Sequence, residues 1–110
     1  MISQNKCTPC QGGIPPLNKK EINNFIKQLD SDWKVYKSKE IRKEYIFETY
    51  KEAIIFANNV AELAEDEGHH PFIHINYKKI LIILFTHKIN GLHENDFILA
   101  FKCDLLHKRL

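Results

Sequence analysis

Two adjacent histidines, His69 and His70, stand between an acidic run and a proline in the stretch EDEGHHPFIHINY, residues 65–77. A third, His87, follows an apolar segment, and Asp96 lies further along. Imidazole suits proton transfer near neutral pH because its unperturbed pKa is about 6.5. The neutral ring accepts a proton and the imidazolium donates one, so two or three together can do both in one turnover. A carboxylate such as Asp96 can orient one ring and hold its tautomer. No serine or cysteine is well placed as a nucleophile, which favours acid–base chemistry without a covalent intermediate. Three imidazoles with an open fourth position also match a hydrolytic zinc site. Adjacent histidines are, however, an awkward source of two ligands for one ion.

Whether these residues meet depends on the elements that carry them. Thr49 and Glu52 have capping-box spacing, and Ala53, Phe56, Ala57, Val60, Leu63 and Ala64 form one apolar stripe of a helix. Gly68 stands where a left-handed helix end is wanted, so His69 and His70 follow directly. Residues 72–77 alternate as a strand, and ILIILF is apolar on both faces, as a central or covered strand requires. A short KK link makes these two strands a hairpin. The start of the first strand then lies beside the end of the second, which brings His69 and His70 near Thr86 and His87. Asp96, at the start of the last helix, and Glu65, in the last turn of the preceding one, reach the same end.

The remaining elements follow the same logic. Asn18 and Glu21 form a capping box with a Leu17–Ile22 staple, predicting a first helix over 18–30. Two strands near 32–37 and 40–48 flank KSKE. KINGL is a turn, and residues 93–110 read as a closing helix. Each candidate also has an ordinary structural use. Adjacent loop histidines are commonly solvated, Asp96 would satisfy helix-start amides, and His74, His93 and His107 read as surface residues. The order α-β-β-α-β-β-α predicts an α+β fold: a four-stranded antiparallel sheet with three helices packed on one face. Such an open sheet has edges, and pairing them across a two-fold axis would hide them, so a dimer is expected.

The 110 residues suffice for one domain, and the net charge of +2 is too small and scattered to suggest nucleic-acid binding. No apolar run approaches the ~18 residues of a membrane span, and MISQNKCTPC lacks signal-peptide character. A cytoplasmic protein with thiol cysteines is therefore expected. Cys7 and Cys10 form a lone C-x-x-C that runs into Gly12, Gly13, Pro15 and Pro16. Peripheral, metal-binding and redox uses all remain open for it. Residues 1–17 read as an extended leader and 18–110 as the domain.

Glu65, His69-His70-Pro71, Tyr77, His87 and Asp96 have the spacing E-x3-H-H-P-x5-Y-x9-H-x8-D. This resembles the signature of the pterin-4a-carbinolamine dehydratase family. THKINGLHENDFILA, the tryptophan of DWKV and the leader CTPCQGGIPPL are also similar to family segments, so the resemblance covers nearly the whole chain. It implies dehydration of 4a-hydroxytetrahydropterins to quinonoid dihydropterins, recycling the pterin of aromatic amino-acid hydroxylases, without metal or organic cofactor. It implies homodimers or homotetramers. The catalytic residues it implies are His69, His70, His87 and Asp96, with His70 and His87 as the main acid–base pair and His69 positioning the pterin. Glu65, Trp33 and Thr86 are the implied substrate-site residues, although Trp33 could equally serve only the core. His93 departs from the family by standing where Ser or Thr is the commoner helix cap. The resemblance leaves three other roles to weigh: pterin binding without turnover, dimerisation cofactor for a protein partner, and molybdopterin metabolism.

Overall fold

Apolar residues from the strands and the helices assemble one core. The computed structural model describes residues 6–8, 12–30 and 32–110. Its elements are α1 (Lys19–Ile26), β1 (Lys34–Tyr36), β2 (Glu40–Ile46), α2 (Tyr50–Glu67), β3 (Phe72–Asn76), β4 (Lys79–Leu84), a 3₁₀ turn (His87–Ile89) and α3 (Glu94–Lys108). The strands form one antiparallel sheet in the order β1-β2-β4-β3. The run ILIILF is the source of β4, which lies between β2 and β3 as its two-sided apolarity demands. Ile41 opposite Leu84, Lys43 opposite Ile82 and Tyr45 opposite Ile80 share the helix-covered face. Ile22, Phe56, Val60, Phe97 and Leu99 pack onto it from the helices.

Local chemistry sets the element ends, with some differences from the sequence reading. The Asn18–Glu21 box closes in both directions, but α1 stops at Ile26 because Gln28 and Leu29 turn back by tighter bonds to Phe25 and Ile26. At α2, the Thr49 hydroxyl accepts from the Glu52 amide, while the Glu52 carboxylate accepts from that hydroxyl. The first hairpin turns through Lys37 and Ser38, both at positive φ, without the Gly or Asn that such turns prefer. The second turns at Tyr77–Lys78, one residue earlier than the KK link, with Tyr77 at φ 55°.

A buried polar cluster ties β2 and Trp33, just before β1, to α3. Asp104 accepts hydrogen bonds from Trp33 Nε1 at 3.0 Å, Lys43 Nζ at 2.8 Å and the Tyr45 hydroxyl. Burial, followed by the nearby Cys103 and Asp104, pushes the Tyr45 phenol up from its ordinary value, so it stays a donor. His107, read as a surface residue, instead packs half-buried against the rings of Tyr45, Phe47 and Phe56. No helix among the described residues is long and apolar enough to cross a membrane.

Candidate active site

The first histidine is placed by the end of α2. Gly68 takes the left-handed conformation (φ 67°, ψ 25°) that stops the helix. Its amide and that of His69 both bond to the Ala64 carbonyl, the latter at 3.2 Å. His69 therefore leaves the helix along a fixed path. Pro71 follows and holds His70 out of helical conformation before β3 begins.

The hairpin delivers the third histidine. Phe72 pairs with Ile83, so the chain before β3 lies beside the chain after β4. Thr86 is locked there by an isolated bridge to Gly91, with its amide 2.8 Å from the Gly91 carbonyl. The 3₁₀ turn starts at His87 and ends at Asn90, whose φ of 51° is a conformation asparagine tolerates.

Asp96 joins these two segments. It is completely buried in the first turn of α3. Oδ1 lies 2.6 Å from His69 Nε2, and Oδ2 accepts from Thr86 Oγ1 at 2.8 Å and from the His93 amide at 3.0 Å. A carboxylate is acceptor-only, so this contact assigns the hydrogen to Nε2 and leaves Nδ1 for other work. Three donors converging on one anion at a helix start form an arrangement that only a carboxylate completes. His93 caps the helix, its Nδ1 accepting from the Asn95 amide at 3.0 Å.

A cleft of about 350 Å³ opens here, lined by Gly68, His69, His70, Phe85, Thr86, His87 and Lys88. The three histidines differ in setting. His69 is buried, whereas His70 and His87 are exposed. His70 Nε2 contacts Glu65 Oε2 at 2.5 Å, an exposed pair that orients the ring but adds little stability. His87 stands edge-on to Phe85 with ring centroids 5.4 Å apart, and Phe85 packs on Phe72 at the same centroid distance. This aromatic wall was not among the sequence candidates. Its signal was the register: Phe72 and Phe85 flank the Ile83 pairing on the same sheet face.

Of the expected residues, His69, His70, Thr86 and His87 line the cleft, and Asp96 and Glu65 hold two of the rings. Trp33 does not line it; its buried indole bonds to Asp104 in the other polar cluster. His74 is exposed on β3. Among the described residues, no group of three or more His, Cys, Asp or Glu side chains is arranged to hold a metal ion. Cys10 lies outside the described residues. Burial, followed by the Glu67 carboxylate, pushes the Cys7 thiol up to about 12, so it remains protonated at neutral pH.

A sequence model of pterin 4 alpha carbinolamine dehydratases matches residues 15–106, which include every one of these cleft residues. The chain belongs to the pterin 4 alpha carbinolamine dehydratase family. Two similar proteins, both provisionally named pterin-4-alpha-carbinolamine dehydratase, come from Rickettsia bellii (strain OSU 85-389) and Alkaliphilus metalliredigens (strain QYMF). The first is 48% identical over 105 residues, covering 96% of this chain and 93% of the relative. The second is 45% identical over 103 residues, covering 94% and 93%. Among solved structures, a transcriptional coactivator/pterin dehydratase from Brucella melitensis superposes with a TM-score of 0.77 at 28% identity, covering 83% of this chain and 97% of that one. A pterin dehydratase-like protein described as a RuBisCO assembly factor in the alpha-carboxysome shares the fold, with a TM-score of 0.60 at 24% identity, covering 70% and 90%. The dehydratase family thus accounts for the fold.

Proposed function

We propose that this protein dehydrates 4a-hydroxytetrahydropterins to quinonoid dihydropterins by histidine acid–base catalysis. The observation that carries this reading is the buried Asp96, bonded to His69 on one side and Thr86 on the other, beneath a cleft also lined by His70 and His87. The reaction removes the proton from N5 and expels the 4a-hydroxyl as water, leaving a C4a–N5 double bond. It therefore needs a base and an acid on one bound substrate, and no electrons change hands.

His70 and His87 are the acid–base pair in this reading. Both are exposed to the cleft, so both can exchange protons with water between turnovers. His69 is held by Asp96 and positions the pterin. Thr86 fixes Asp96, Glu65 steadies His70, and Phe85 offers an apolar wall to the flat bicyclic ring. No metal or organic cofactor has a step. The reaction would recycle the pterin cofactor of aromatic amino-acid hydroxylases in the cytoplasm. The open edges at β1 and β3, with Phe72 and Ile75 exposed on β3, support assembly as a homodimer or homotetramer.

A second reading has one observation in its favour. The Brucella melitensis structure carries the name of a transcriptional coactivator as well as of a dehydratase. Binding of a protein partner, or of pterin without turnover, would use the same fold. Chelator-treated protein added to freshly generated 4a-hydroxytetrahydropterin separates the readings. Optical formation of the quinonoid product faster than in buffer is the expected result. A folded protein that leaves the buffer rate unchanged overturns the enzyme reading.

A further inference from the structure

The leader segment that carries Cys7 is docked at two places, on the end of α2 with the start of α3 and on the turn before α3. Near residue 7, the Cys7 amide donates to Glu67 Oε1 at 2.8 Å, and Lys102 Nζ donates to Glu67 Oε2 at 2.6 Å. The Thr8 amide donates to Asn95 Oδ1 at 2.9 Å, and Asn95 Nδ2 donates back to the Thr8 carbonyl at 2.6 Å. The Asn95 side chain thus acts as a strand partner for the leader, and it is only 2% exposed. The Cys7 thiol donates to the Asn95 carbonyl at 3.6 Å. Near residue 17, the Leu17 amide donates to the Leu92 carbonyl at 2.9 Å. Pro16 sits so close to Gly91 that a Cβ there would come within 2.5 Å of the Pro16 Cβ.

The docked residues are the immediate neighbours of the Asp96 network. Glu67 precedes Gly68 and His69 at the end of α2, and Asn95 adjoins Asp96 in the first turn of α3. Gly91 carries the bridge that locks Thr86. His69, Asp96 and Thr86 therefore sit on three separate chain segments, and the leader bonds to or packs against each of them. Histidine is a weak helix cap, so the start of α3 gains from an external hold.

We propose that the leader is a strap that sets the spacing of His69 and Asp96, with Glu67 and Asn95 acting through it as positioning residues. It rests on the dehydratase reading for its effect on turnover. The strap gives the leader around Cys7 and Thr8 a use that involves neither metal nor disulfide chemistry. It restricts the drift of α2 against α3 at the one end where a displacement changes the site.

The test uses the full chain and three variants, Asn95→Ala, Glu67→Gln and Gly91→Ala. Melting temperature, kcat and KM for dehydration, and the imidazole ¹⁵N shifts of His69 are measured for each. The ¹⁵N shifts report the Nε2–Asp96 bond without reference to activity. The strap predicts folded variants in which kcat falls by roughly tenfold, KM stays within about twofold, and the His69 Nε2 signal moves toward that of free imidazole. Folded variants with lower melting temperature but unchanged kcat and unchanged His69 shifts would overturn it, leaving the leader a stabilising segment only. Should Asn95→Ala fail to fold, Glu67→Gln and Gly91→Ala decide, since each disturbs a different contact. Should the natural protein show no dehydration, the enzyme reading fails and the His69 shifts alone decide the strap.

Discussion

Asp96 Oδ1 lies 2.6 Å from His69 Nε2, with the carboxyl group completely removed from solvent. All its partners are donors: His69, Thr86 and the His93 amide. Asp96→Asn keeps the shape but places an NH₂ against donors. Leaving a buried hydrogen-bonding group unpaired in this way costs about 1–3 kcal/mol. The melting temperature should fall accordingly, and kcat for dehydration should fall at least tenfold in protein that remains folded, without exceeding the ~10²–10⁴ worth of a direct acid–base group. Melting curves and steady-state assays on the same sample check both parts.

Phe85 touches His87 edge-on and Phe72 in a tilted arrangement. An aromatic pair contributes about 0.5–1.5 kcal/mol beyond its area. Phe85→Leu should therefore lower kcat/KM by roughly twofold to tenfold, with fold and melting temperature nearly unchanged. Phe85→Tyr should retain most activity. Equal losses in both variants would show that the ring face is not what the cleft uses.

The Lys43–Asp104 pair lies in the other buried polar cluster. It is buried, bonded also to Trp33 and Tyr45, and apart from the cleft residues. Asp104→Ala leaves Lys43 only the exposed Asp30 carboxylate at 3.8 Å and the Tyr45 ring face, and should destabilise the fold by up to about 3–5 kcal/mol. Dehydration per folded molecule should be unaffected. Denaturant unfolding combined with active-site-normalised kinetics distinguishes this from a catalytic effect.

Glu67 gives the strap a pH dependence. Burial alone would raise its carboxyl, but the Lys102 ammonium and the Cys7 amide hold it below the ordinary value. A depressed carboxyl stabilises the fold above its unfolded pKa of about 4.3, and that stability is lost as pH falls through the lower folded value. The melting-temperature gap between natural protein and Glu67→Gln should thus be widest at neutral pH and close in acid. A gap that stays constant from pH 7 to pH 3 contradicts the ion pair's role.

Much of the site was legible because it depends on topology. Gly68 had to end a helix, ILIILF had to be interior, and a hairpin between them had to bring His69 and His70 to Thr86 and His87. Hidden from the sequence were contacts set by which face a residue takes. Lys43 looks like an ordinary surface lysine until its place between Ile41 and Tyr45 is matched to the inward register, where Asp104, Asp30 and the Tyr45 ring make its burial tolerable. Trp33 goes to that cluster for the same reason. His107 was read from helix polarity, but the aromatic rings of β2 and α2 reach it. The leader's docking could not be read at all, because it depends on contacts between Cys7 or Thr8 and residues at positions 67 and 95.

The central claim is that histidines over Asp96 move the protons of a pterin dehydration. The most direct measurement is the rate of quinonoid dihydropterin formation from fresh 4a-hydroxytetrahydropterin, compared for the natural protein, His87→Ala and buffer. The account predicts clear acceleration by the natural protein and loss of roughly 10²-fold or more of it in a folded His87→Ala variant. A natural protein no faster than buffer, or a His87→Ala variant as fast as the natural protein, would contradict it.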